Sequence, residues 1–401
     1  FLIITDELKA EKKNGKWVGK SGKYLGTLSK ELGFVKKRES FKEGSTCIYD
    51  YGNYLLAYET SFDVLLKLKK YFNSEDAFKI YMIGLIYFVE GYQPLTKIDD
   101  YYKLSYISHL LPDLKFGYSA LKTLVNNLAR KTGQIEKFIS SLLNETDELI
   151  VDGHSFESYS KENELSDFGY HYKDTGNKQI DMLMIYNKDN YSPVYVEVFN
   201  GSIHDKSKLK ELFASFSIKN KLFIFDRGFY SSDNISLIVN SGSTYVTPLS
   251  ANLSEFKEVT KTMNLTDSFV YTNGKKKTTI EYKKINKTAK KFIYVFRDTL
   301  RNAELKSEFL IRVNDKNDEY NINDYNYDKE RLGTIVLETN LELDPSNIYD
   351  LYAKRWSIET YFDYVKNSLS FDKLNFQDYY TEKGVAYLLL IEGLIYGEVR
   401  K

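Results

Sequence analysis

One cysteine in 401 residues, Cys47, leaves no partner for an intramolecular disulfide and fits a reducing cytoplasm. Nothing around it resembles a catalytic cysteine, so it reads as a small packing residue. Histidine is scarce too: His109, His154, His171 and His204 stand at no metal-binding spacing, which argues against a zinc site. Long apolar runs are missing. The two longest, Ala77 to Val89 and Val385 to Tyr396, fall short of the roughly 20 residues of a membrane span. The second also contains Glu392, and both read as buried helices. The opening, Phe1 to Asp6, is short and acid-ended, unlike a secretory signal. There is no internal repeat and no long low-complexity linker. Net charge is absent as well, 56 basic against 56 acidic side chains, a weak argument against a nucleic-acid binder.

What the chain does hold is apolar and aromatic bulk, 42% and 15% of its residues, enough for a sizeable core and against disorder. Its length predicts one large or two to three smaller units. Charge is concentrated locally. Tyr271 to Arg301 carries ten Lys or Arg against Glu281 and Asp298, a net +8, and residues 1–40 hold ten basic against five acidic side chains, a net +5. Such segments bind phosphate backbones. A solvated lysine-rich surface has the same composition, which leaves the two readings level.

Residues 1–60, rich in Gly, Lys and Tyr, read as short strands and turns. From Ser61 to Leu143 the apolar spacing is helical. The middle of the chain then changes character. Leu149-Ile150-Val151 ends in Asp152, and strand-like runs follow at Ile180 to Tyr186 and Pro193 to Phe199. A helix fits Lys206 to Phe216. Leu222-Phe223-Ile224-Phe225 is a fully apolar strand ending in Asp226, with a short helix around Asp233 to Asn240 and a strand at Thr244 to Thr247 behind it. Three strands, helix, strand, helix, strand suits a mixed-sheet, ribonuclease-H-like α/β fold; a Rossmann fold would need helices between its first strands. Ser250 to Asn340 reads as a β-rich insertion, and helix returns at Ser346 to run past Lys366.

On that last helix, Tyr352, Arg355, Glu359 and Lys366 recur at offsets of 3, 7 and 14. At about 100° per residue they share a sector of roughly 60°. Leu351, Ile358, Phe362 and Val365 form a neighbouring apolar stripe that would dock the helix. A salt-bridged helix face explains the polar row equally well. Two further carboxylates shift the balance. Asp152 and Asp226 each follow a strongly apolar strand, where a charge gains nothing from packing, and a cation or ligand is one reason for it to be there. An Asp starting a turn is the other.

At these residues the resemblance becomes specific. Tyr352-x2-Arg355-x3-Glu359-x6-Lys366 is similar to the YREK signature of bacterial insertion-sequence transposases of the insertion sequence 4 family. "FDRGFYSSDN" (Phe225 to Asn234) resembles the block around that family's second catalytic Asp, and "IVDGHSF" stands where it has the first. "EVFNGSIHD" and "LGTIVLETN" look like further blocks, so the likeness covers roughly Leu149 to Lys401. The resemblance implies a DDE triad of Asp152, Asp226 and Glu359 holding two divalent cations, Mg2+ or Mn2+, for DNA cleavage and strand transfer. It makes Arg355 and Lys366 phosphate clamps and Tyr352 a strand-orienting group. Lys354 and Trp356, on other faces, read as surface and packing residues.

In that family the interval between the second Asp and the Glu carries a β-strand insertion that grips the transposon end. This raises the case for Lys275, Lys276, Lys277, Lys290 and Lys291 as DNA contacts. The implied partners are double-stranded DNA, as terminal inverted repeats and target, and a second copy in a synaptic dimer. The implied place is the bacterial cytoplasm, at the nucleoid when bound. The expected organisation is a small β and turn region over 1–60 and a helical, DNA-end-binding region over 61–145. A catalytic core split between 146–250 and 341–401 follows, with the insertion over 251–340. Two departures stand out. Trp17 and Trp356 are the only tryptophans, so none lies in the insertion to stack on a flipped base. His154 stands where relatives more often have a hydroxyl residue, and a hydrogen-bonding structural role is the expectation. Ser119 to Leu143, with Lys122, Arg130 and Lys131, is a DNA-reading helix pair or an ordinary bundle. The rival readings are an inactive DNA-binding remnant and a stand-alone nuclease of the same fold.

Overall fold

Strand-forming and helix-forming stretches segregate along the chain, and the structure, a computed structural model, divides accordingly. It describes residues 2–5, 8–13, 16–21, 24–29, 33–36, 48–112, 114–158, 162–169, 176–203, 205–261, 264–315, 320–369 and 378–401. Cys47, His171 and His204 lie outside these. Two units result, Phe1–Tyr49 and Asp50–Lys401. In the first, β1 (Leu2–Thr5), β2 (Leu8–Lys13), β3 (Lys16–Ser21), β4 (Tyr24–Ser29) and β5 (Gly33–Lys36) make a β1-β4-β5 antiparallel sheet and a β2-β3 hairpin.

The second unit opens with helices α1 (Gly52–Thr60), α2 (Phe62–Leu68), α3 (Ser74–Glu90), α4 (Ile98–Leu104), α5 (Tyr106–Leu110), α6 (Tyr118–Arg130) and α7 (Thr132–Asn144). Asn73 caps α3 by accepting the Asp76 N–H, and Glu75 and Asp76 face the positive end of its dipole. Every residue from Ala77 to Tyr87 is buried, as befits a helix apolar all round. α1 falls where strands and turns were expected. Its buried stripe is only Tyr54 and Ala57, and its tyrosines favour strands; packing against α3 decides the outcome.

The main sheet follows, with β6 (Glu148–Ser158), β7 (Lys178–Asn187), β8 (Ser192–Asn200), α8 (Asp205–Ser215), β9 (Leu222–Phe225), α9 (Ser232–Asn240) and β10 (Thr244–Pro248). β7 runs antiparallel to β6 and β8, while β6, β9 and β10 are parallel neighbours. The order β8-β7-β6-β9-β10 is the expected ribonuclease-H-like arrangement, a mixed sheet with helices packed on it.

The sheet does not stop there. After α10 (Ser254–Thr260) come β11 (Asp267–Asn273), β12 (Lys276–Thr288), β13 (Lys291–Asp298), α11 (Thr299–Asn314), α12 (Ile322–Asp328) and β14 (Thr334–Thr339). β14 pairs antiparallel with β10, and β13, β12 and β11 add to it, giving nine strands in one sheet. The interval read as lysine-rich strands thus also holds, among its described residues, three helices. In α11 only Asn302 is buried, so mixed charge from Arg301 to Arg312 masks any apolar period.

Helices α13 (Pro345–Ala353), α14 (Trp356–Asn367) and α15 (Tyr379–Arg400) complete the unit. α15 packs on β8, α3 and α6. A side chain on Gly393 would overlap Tyr361 Oη and Pro193, so glycine permits that close approach. Among the described residues, no helix is long and apolar enough to cross a membrane. Glu392, fully buried on α15, accepts hydrogen bonds from Tyr364 (2.7 Å) and Tyr361 (3.1 Å) of α14.

Burial pushes the Glu392 carboxyl up to about 8, against the pull of the two phenols. A folded pKa above the ordinary carboxylate value adds stability at low pH, which is lost as pH rises through about 8. Glu392→Gln is expected to erase this loss and leave the variant more stable than wild type at pH 9, by on the order of a few kcal/mol. Urea denaturation at pH 5, 7 and 9 reads it, and parallel pH profiles for the two proteins would refute it.

Candidate active site

β6 and β9 are parallel neighbours in register, Glu148 opposite Leu222 through Val151 opposite Phe225. Leu149 to Val151 and Phe223 to Phe225 are wholly buried, so a slip of one residue would push a carboxylate into the apolar layer. The next residue on each strand is an aspartate. Asp152 and Asp226 therefore stand side by side, on the face opposite Val151 and Phe225. Asp226 is extended, with φ −77° and ψ 163°. The chain then tightens into the 3-10 turn Arg227–Phe229, where the Phe229 N–H donates to the Asp226 carbonyl at 3.0 Å. Asp152 corrects one expectation. It does not end its strand, because β6 continues to Ser158 along β7 after β9 has stopped.

The third carboxylate arrives on a helix that is not continuous. α13 and α14 meet at Lys354–Arg355, where the Arg355 N–H bonds Tyr352 O at 3.0 Å and the Ile358 N–H bonds Arg355 O at 3.1 Å. These are three-residue, 3-10 spacings, so the even 60° sector of a single α-helix does not hold across Tyr352 and Arg355. Ile358, Tyr361, Phe362 and Val365 bury one side of α14, which turns Glu359 toward the sheet. Lys354 is no loose surface residue. Its Nζ reaches both oxygens of Glu148, the first residue of β6, at 2.7 and 3.0 Å, tying the helix break to the strand that carries Asp152.

Arg355 joins the carboxylates. Its Nη1 lies 3.1 Å from Asp152 Oδ2 and its Nη2 2.6 Å from Glu359 Oε1. Its Nε is buried without a hydrogen-bond partner, and its guanidinium sits 5.6 Å from the Tyr352 ring centre. Burial pushes the Asp152 carboxyl up to about 6. Arg355 and the Gly153 N–H pull it down, while Asp226 and Glu359 add to the rise. Burial also raises the Tyr352 phenol to about 12, opposed by Arg355 and helped by Asp226 and Asp152. Burial disfavours the Arg355 charge, but Tyr352, Asp152, Glu359 and Asp226 outweigh that and hold the guanidinium protonated. Three acids, one cation and one phenol thus share a single half-buried place. His154, two residues beyond Asp152, stacks on Phe362 at 5.0 Å.

The lysines proposed for DNA do not form one patch. Lys275, Lys276 and Lys277 lie at the exposed β11–β12 turn, whereas Lys290 and Lys291 lie at the far end of β12. Thirteen strand residues put roughly 40 Å between the two ends. Lys291 is also engaged at home, 2.9 Å from Glu255 and 3.0 Å from Glu338. Buried Glu338 further accepts from Tyr230 (2.9 Å) and Tyr245 (2.7 Å), linking β14 to the turn after Asp226. The Lys276 end reaches Tyr352 of the helix that leads to Arg355. A cleft of about 430 Å³ there is lined by Tyr271, Lys276, Arg301, Tyr349, Tyr352 and Trp356. Arg301 and Trp356 are additions to the sequence reading. Trp356 is 68% exposed, so packing does not account for it. Lys366 is exposed on α14, two turns or about 10 Å beyond Glu359. α6 buries Leu121, Val125 and Leu128, and Arg130 lies over the Tyr380 ring at 3.7 Å, the marks of a packed bundle.

The family model described as transposase DDE domain matches residues 124–391. The chain belongs to that family, and its function is that of a transposase. No curated protein sequence matches it. Among solved structures it is similar to the one titled "Cryo-EM structure of piggyBac transposase synaptic complex with hairpin DNA (SNHP)". Identity there is 12% and the TM-score 0.44, with 89% of this chain and 77% of that one covered.

The family generally uses divalent metal ions. Among the described residues, no three Asp, Glu, His or Cys side chains converge closely enough to hold one, since Asp152 and Glu359 both point at Arg355. The donor set fits such ions all the same. It consists of hard carboxylate oxygens in excess over one guanidinium, with Asp152 pushed up by burial and by its acidic neighbours.

Because the folded Asp152 pKa of about 6 exceeds the ordinary 3.8, its contribution to stability is present below about pH 4 and lost as pH rises through 6. Metal-free Asp152→Asn is expected to be more stable than wild type at pH 7.5 by about 1–3 kcal/mol, the gap closing toward pH 4. Chemical denaturation at both pH values measures this, and an Asn variant no more stable at pH 7.5 would contradict it.

Proposed function

We propose that this chain is a DNA transposase of the insertion sequence 4 type, cutting at the ends of its element and joining them to target DNA. The observation that carries the reading is the β6–β9 register, which sets Asp152 beside Asp226, with Arg355 tying Asp152 to Glu359 on the facing helix. Asp152, Asp226 and Glu359 would hold two Mg2+ or Mn2+ ions, which when bound supply an activated oxygen nucleophile and charge stabilisation on the leaving oxygen. Arg355 offers two parallel N–H donors to a phosphate next to the scissile bond, and exposed Lys366 meets the backbone further along. Tyr352, kept protonated by its surroundings, donates its hydroxyl and walls the cleft. Lys276, which lines that cleft, and its neighbours Lys275 and Lys277 in the same turn fit DNA leaving the site; Lys290 fits a separate contact. A homodimer would pair two such sites on two element ends. The helical region before β6 would contribute end recognition, and the strands from β11 to β13 would extend the DNA-binding face.

Duplex DNA carrying the sequences that flank the coding region, incubated with Mg2+ or Mn2+, tests this. Wild type is expected to nick at the element ends and join the products to target. Glu359→Gln should bind the same DNA and cut below detection. Equal cutting by both proteins would remove Glu359 from the site, and binding without cutting by both would leave a DNA-binding remnant.

A further inference from the structure

Arg355 occupies the place that a cation would need. Its two terminal nitrogens take one oxygen each from Asp152 and Glu359, and among the described residues no three acids converge on a common point. The guanidinium is not fully satisfied there, for its Nε is buried without a partner. A buried donor left without a partner is unfavourable, so a position that frees it is within energetic reach. The cleft beside Tyr352, on the neighbouring turn, leads out toward Lys276 and Arg301, where a polyanion would lie under the proposed function.

We propose that Arg355 is a stand-in counter-ion, competing with divalent metal for Asp152 and Glu359 and released when a DNA phosphate takes over its guanidinium. The proposal rests on the transposase reading. Its physical basis is a count of partners. One guanidinium has three anions to choose from, two carboxylates and a phosphate, and metal needs the two carboxylates. Without Arg355 or metal, Asp152, Asp226 and Glu359 would face one another uncompensated, a costly state for buried charge. With Arg355 in place the acids are held together and metal is disfavoured. With Arg355 on phosphate, the acids are left for metal. Binding of DNA and of metal are then coupled through one side chain, each tightening the other by the same factor. Lys354, held by both oxygens of Glu148, keeps the helix break fixed, so the change is confined to the Arg355 side chain. An enzyme built this way loads its metal on DNA and stays idle off it.

The test is Mn2+ affinity by titration calorimetry, a binding readout independent of cutting. Wild type, Arg355→Gln, Arg355→Lys and Glu359→Gln are compared with and without the flanking-sequence duplex, each first checked for a wild-type melting profile. Wild type should bind Mn2+ about tenfold or more tightly when DNA is present. Arg355→Gln should bind tightly without DNA and gain little from it. Arg355→Lys, which keeps the charge but cannot bridge two carboxylates, should fall between them. Should Arg355→Gln bind Mn2+ no tighter than DNA-free wild type, the stand-in role is overturned while the triad survives. Wild type that takes up no Mn2+ even on DNA, or Glu359→Gln that binds it as well as wild type, would overturn the transposase site reading and this proposal with it.

Discussion

The parallel pairing of β6 with β9 is the constraint on which the rest of the site depends. Leu149, Ile150 and Val151 lie against Phe223, Ile224 and Phe225, all inaccessible to solvent. A register error of one residue would bury a carboxylate among them. The apolar runs thereby act as a ruler. They end at the same height, and the residue after each end is Asp152 or Asp226. Precision comes from packing, and the chemistry is appended where packing stops.

The third carboxylate is brought in by different forces. α14 docks through Ile358, Tyr361, Phe362 and Val365, its Tyr361 and Tyr364 hydroxyls bind Glu392 of α15, and Lys354 at its start binds Glu148 of β6. Glu359 is thus positioned from behind by a buried acid and from the front by an ion pair. Glu338 has the same role on the other flank, where it gathers Tyr230, Tyr245 and Lys291. The turn after Asp226 is thereby joined to the strands that extend the sheet. Each carboxylate has its own support, and among the described residues only Arg355 pairs with two of them.

Much of this was legible in the residues. Unbroken apolar runs such as Leu222 to Phe225 announced their strands, and the strand and helix order announced a mixed, ribonuclease-H-like sheet. What escaped detection followed from weak local signals. α1 buries only Tyr54 and Ala57, too narrow a stripe to outweigh its strand-favouring tyrosines. α11 buries one side chain, Asn302. The lysines from Lys275 to Lys291 are near in sequence yet lie at both ends of β12, because a strand separates what a composition window adds together. The break at Lys354–Arg355 was hidden since both residues keep helical dihedral angles. Equal spacing on paper therefore concealed a change of twist. That Lys354 would seek Glu148, some two hundred positions away, has no local signal at all.

Under the proposed function, Asp152, Asp226 and Glu359 share one metal-binding place on this chain. Fe2+ substituted for Mg2+ on duplex DNA, followed by ascorbate and peroxide, generates radicals that cut the backbone beside the bound ion, and mass spectrometry locates the cuts. Breaks clustered near residues 152, 226 and 359, suppressed by excess Mg2+ and lost in Asp226→Asn, are the predicted result. Breaks at only one of the three positions, or at places the Asp226→Asn substitution does not affect, would contradict it.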